Sequence, residues 1–91
     1  MIMLTLISQP QTGYQELIEG LKQFLRDNML NVIAIVRGGK KKDHLHAFIS
    51  AALPMDTHSL KGIAKISMVP DEAVDEAIGF YTANHECVLI N

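Results

Sequence analysis

The sequence predicts an α+β domain with its elements in the order β-α-β-β-α-β, a single unit over residues 1–91. Two segments of helical period separate short runs rich in apolar and β-branched residues. Turn signals at Gln9-Pro10, Gly38-Gly39 and Pro70 punctuate them. With 48% hydrophobic and 20% charged residues in a chain of 91, there is material for one modest core.

Residues 2–8, IMLTLIS, form an apolar run closed by Gln9 and Pro10, hence a first strand. Thr12 and Gln15 have the spacing of a capping box, and Tyr14, Leu17, Ile18, Leu21, Phe24 and Leu25 follow as one stripe. Glu16, Glu19, Lys22 and Arg26 then face water, which predicts a helix over about 13–27, ended by Asp27 and Asn28. LNVIAIVR, residues 30–37, is a β-branched second strand running up to the glycine pair. A long non-helical loop is expected over about 38–60, carrying Lys40, Lys41 and Lys42 as a solvated tip.

GIAKISMV, residues 62–69, alternates as a third strand, and Pro70 opens a second helix because it needs no amide partner in a first turn. Val74, Ala77, Ile78 and Tyr81 make that helix's apolar stripe. Asp71, Glu72, Asp75 and Glu76 complement the positive end of its dipole and carry no catalytic pattern. Gly79 is expected to mark a close helix contact, Asn84 to lie just past the helix end, and HECVLIN to be the last strand. The order is that of a ferredoxin-like domain, an antiparallel sheet with both helices on one face. Both faces of the first two strands are apolar, however: Ile2, Leu4 and Leu6 against Met3 and Ile7, and Val32, Ala34 and Val36 against Ile33 and Ile35. Helices on one face leave the other uncovered, so a second subunit packed sheet on sheet is expected.

A formal charge of −2 argues against a nucleic-acid partner. A lone Cys87 excludes an intramolecular disulfide and fits a reducing compartment. The apolar start MIMLTLIS is too short for a secretory leader or a membrane span. A cytoplasmic protein that does not itself span a membrane is the expectation.

AIVRGGKKKDH at the end of the second strand and AKISMVPDEAVDEAI over the third strand and second helix resemble the nitrogen-regulatory P-II signalling superfamily. That resemblance, spread over most of the chain, implies a homotrimer and a non-enzymatic regulatory or adaptor role. It makes the 38–60 stretch a T-loop that engages a protein target such as a membrane transporter or an enzyme. It also implies a small anionic effector, an adenine nucleotide or similar, bound between subunits. The family's glycine-rich B-loop has no counterpart, since YTAN runs straight into HECVLIN. The expected anion site therefore reduces to Arg37, Gly38, Gly39 and Lys40, with Lys61 and Lys65.

The alternative is a metal-binding protein of the same fold, similar to the divalent-cation tolerance proteins, using His44, His46, His58, His85 or Cys87 for Zn or Cu. His44 and His46 stand at i and i+2, as do His85 and Cys87, a spacing that on a strand points both members of a pair to one side. The spacing matches no established zinc signature. No activated nucleophile or paired acid and base stands out, so no catalytic residues are expected.

Overall fold

The computed structural model describes residues 1–39, 43–51 and 55–90. It contains β1 (Ile2–Ile7), α1 (Tyr14–Asp27), β2 (Asn31–Gly38), β3 (His44–Ser50), β4 (Ile63–Met68), a 3-10 turn at Asp71–Ala73, α2 (Val74–Asn84) and β5 (Glu86–Ile90). The five strands form one sheet in the order β4-β1-β3-β2-β5, and every neighbouring pair is antiparallel. β1 and β2 therefore run parallel with β3 between them, a split βαβ unit compatible with a ferredoxin-like fold. None of the described helices is long and apolar enough to cross a membrane.

The expected 38–60 loop is in large part a strand. HLHAFIS occupies the centre of the sheet, with Leu45, Ala47, Phe48 and Ile49 essentially inaccessible. Leu45, Ala47 and Ile49 alternate with His44, His46 and Phe48, which is strand periodicity disguised by two histidines at polar positions. A central strand with both neighbours paired cannot serve as a mobile arm, so the T-loop reading fails over these residues. Lys40, Lys41 and Lys42 lie outside the described residues.

The helices also divide between the two faces. α1 buries Leu17, Leu21 and Leu25 against Leu4, Leu6, Ile35, Leu45, Ala47 and Ile49. Tyr81 of α2 packs its ring on His46 and Phe48, the alternate residues of the same strand. Connection handedness requires this. Both crossovers, β1 to β2 and β4 to β5, progress the same way across the sheet, but β4 and β5 run opposite to β1 and β2. Right-handed connections then fall on opposite faces. α2 thus covers part of the second apolar face within one chain, where Phe48 and Val36 are buried, so those residues need no second subunit to shelter them.

Local details refine the expected elements. Gly13, not Thr12, caps α1, and Gln15 bonds Glu19 instead of closing a capping box. Asn28 ends the helix, its side-chain amide donating to the Phe24 carbonyl at 2.9 Å. Asn84 is still helical, and His85 is the residue that leaves the helix in extended conformation. A Cβ on Gly79 would meet nothing within 4 Å, so that glycine marks no close contact. Gly62 does: with φ +86° and a Cβ position only 2.6 Å from the Ile7 carbonyl oxygen, only glycine suits the entry to β4.

Candidate metal centre

The sheet register sets out the outer face as a grid. One row across the strands reads Lys65, Thr5, His46, Val36, Cys87. The next reads Ile63, Ile7, His44, Gly38. His44 and His46 therefore project from β3 to the same side, two residues apart. His85 arrives at the end of this second row from α2, one residue before β5. Gly38 lies between His44 and His85 and has no side chain to hold them apart. A Cβ there would stand 2.5 Å from His85 Cδ2 and 2.6 Å from His44 Nε2. Two imidazoles, His44 and His85, close over this one bare backbone position, and His46 adjoins both.

Their ring centroids are 5.0, 5.3 and 5.1 Å apart, and one nitrogen from each lies within 4.8 Å of the other two. His44 Nε2 and His85 Nε2 are 3.2 Å apart. His85 Nδ1–H donates to the Tyr81 carbonyl at 3.1 Å, one of the C-terminal helix carbonyls that lack an internal partner. A carbonyl only accepts, so a proton sits on His85 Nδ1, and its Nε2 is the nitrogen that faces His44 Nε2. His46 Nδ1 is held by Thr5 Oγ1 at 2.9 Å, which leaves its Nε2 for the centre. Burial first, and then the neighbouring His44 and His85 rings, push the His46 imidazole down from 6.5 to about 4. The ring is neutral at physiological pH, the form that ligates a metal.

The His44–His85 spacing suits a tetrahedral cation. Zn–N bonds of about 2.0–2.1 Å place nitrogen ligands roughly 3.3 Å apart, and the His44–His85 pair already stands at 3.2 Å. Thr5 and the Tyr81 carbonyl occupy the supporting role that outer hydrogen bonds take around ligating histidines. Three imidazoles bring no negative charge, so a divalent ion held here keeps its full charge.

The other candidate residues stand elsewhere. His58 is exposed beyond β3, its backbone N–H bonded to Asp56 Oδ1 at 2.9 Å, and Cys87 is exposed on β5 outside the cluster. Of the expected anion site, Arg37, Gly38 and Gly39 line one cavity together with Tyr14, Asp43 and Glu86. Arg37 points to the α1 side, its guanidinium 3.6 Å over the Tyr14 ring and 3.5 Å from Glu86. Gly39 abuts the Tyr14 hydroxyl, and that hydroxyl bonds the Gly38 carbonyl. Lys61 pairs with Glu16 at 3.5 Å, Lys40 lies outside the described residues, and only Lys65 shares the histidine face. Thr5 and Tyr81 went unnoticed as site residues. The one sequence signal was a single hydroxyl amid the apolar IMLTLI, whose partner is 41 positions away.

No protein-family model, curated protein or solved structure matches this chain.

Proposed function

We propose that this chain binds a divalent transition metal, Zn(II) or copper, through His44, His46 and His85. The observation that carries the reading is the convergence of three ring nitrogens within 4.8 Å of one another, two of the rings fixed by outer hydrogen bonds. Chance histidines on a surface are solvated separately; here a glycine is required for the His44 and His85 rings to approach. An all-imidazole set suits Zn, Cu, Ni or Fe and disfavours Mg and Ca, which take oxygen ligands. The role is binding, with metal sensing, buffering or delivery as its natural uses, and no catalytic group enters it.

The test is a competition titration of metal-stripped protein with Zn(II) against a chromophoric chelator. One equivalent should bind, and His44→Ala and His85→Ala should each abolish tight binding, while His58→Ala and Cys87→Ser should leave it intact. Both triad positions are half-buried, so circular dichroism of the variants will report retained folding. Stoichiometric binding that survives His44→Ala/His85→Ala would sink the assignment, as would no binding at all.

A further inference from the structure

α2 joins the Met68 end of β4 to the start of β5 at the opposite end of the sheet. Four strand spacings amount to about 19 Å, and an eleven-residue helix spans about 16 Å. The helix therefore crosses its face diagonally and leaves two opposite corners bare. Exposure agrees: Ile63 at one corner is 44% accessible and Ile90 at the other 59%. The first corner adjoins the histidine cluster. Its floor is Ile7, Ile63 and Thr5, and Lys65 stands beside them.

Lys65 differs from the other described basic residues near this end of the sheet. Arg37 and Lys61 are each matched by a glutamate, whereas among the described residues no carboxylate pairs with Lys65. It lies two strands from His46 in the same row, about 10 Å between backbones, and a four-carbon stem spans much of that gap. A cation held by three neutral rings lacks a fourth ligand, and no described carboxylate or thiolate joins the cluster to supply one.

Building on the metal reading above, we propose that the centre takes a short apolar carboxylate as its remaining ligand. One carboxylate oxygen coordinates the metal, the Lys65 ammonium pairs with the other, and the hydrocarbon part lies on Ile7 and Ile63. The ion's undiminished charge and the lysine select an anion, and the isoleucine floor selects an organic anion over a hydrated inorganic one.

The experiment loads the protein with Co(II), whose visible bands report coordination, and titrates it with butyrate and separately with phosphate. Butyrate is expected to shift the bands saturably and more tightly than phosphate. Lys65→Gln should weaken butyrate about tenfold or more without changing Co(II) affinity, and Lys65→Arg should restore most of it. Bands that appear on loading but ignore butyrate overturn this proposal and leave the metal centre standing, as does undiminished binding in Lys65→Gln. Phosphate binding as tight as butyrate overturns the apolar-carboxylate assignment. Absence of any histidine-dependent Co(II) band overturns the metal centre and the carboxylate site with it.

Discussion

Gly38→Ala places one methyl group beneath His44 and His85 and tests the centre without removing a ligand. The new carbon would stand 2.5 Å from His85 Cδ2, 2.6 Å from His44 Nε2 and 2.8 Å from His44 Cε1. Comfortable carbon contacts are about 3.5–4.0 Å, so both rings must retreat by roughly 1 Å or more. The nearest atom on His44 is Nε2, the nitrogen that faces His85. The Gly38 backbone is outside the left-handed region, so alanine meets no conformational penalty there. Overpacking costs about 1–3 kcal/mol, offset by roughly 0.5–1 kcal/mol from replacing a strand glycine, and the metal-free protein should lose at most a few kcal/mol. Zn(II) affinity should fall by about tenfold to a hundredfold, the range seen when ligand orientation is disturbed. Chelator competition reads the affinity and urea denaturation of the apo-protein reads the fold. Gly20→Ala is the control, since a Cβ there meets nothing within 4 Å. Unchanged Zn(II) affinity in a folded Gly38→Ala protein would refute the convergence argument.

Thr5→Val removes the hydroxyl that holds His46 Nδ1 while keeping the side chain's shape; Zn(II) affinity should drop about tenfold or more, and retention of full affinity in the same titration would show the bond to be incidental. In the apo-protein, His46 is depressed from 6.5 to about 4, so the unfolded chain takes up the proton first. Stability should be full above about pH 6.5 and fall as the pH drops towards 4, by at most about 3 kcal/mol; an NMR titration placing His46 near 6.5 would contradict this. Gly79→Ala fills open space on an exposed helix position and should stabilise the protein by up to about 1 kcal/mol, and a lowered midpoint in thermal denaturation would show a contact there after all.

Strand and helix identity was legible wherever the pattern was local. The stripe Leu17, Leu21, Phe24, Leu25 is buried as its spacing required, and IMLTLI, NVIAIVR and IAKISM are strands. HLHAFIS was hidden because His44 and His46, behind three lysines, read as loop polarity. His46 is tolerated in mid-sheet because Tyr81 covers it and Thr5 satisfies a ring nitrogen, and His44 packs against the His46 and His85 rings. The capping box failed for a related reason: Thr12 and Gln15 have the right spacing, but Gly13 holds the cap position and Gln15 turns to Glu19.

The amino-acid sequence by itself determined the α+β class and the places of both helices. These follow from periods of 3.6 and 2, properties of neighbours along a chain. Only the tertiary structure decided that α1 and α2 take opposite faces and that His85 meets His44 across 41 residues. Such meetings depend on strand order and register, which are chosen by packing the whole sheet at once, and no local period encodes them.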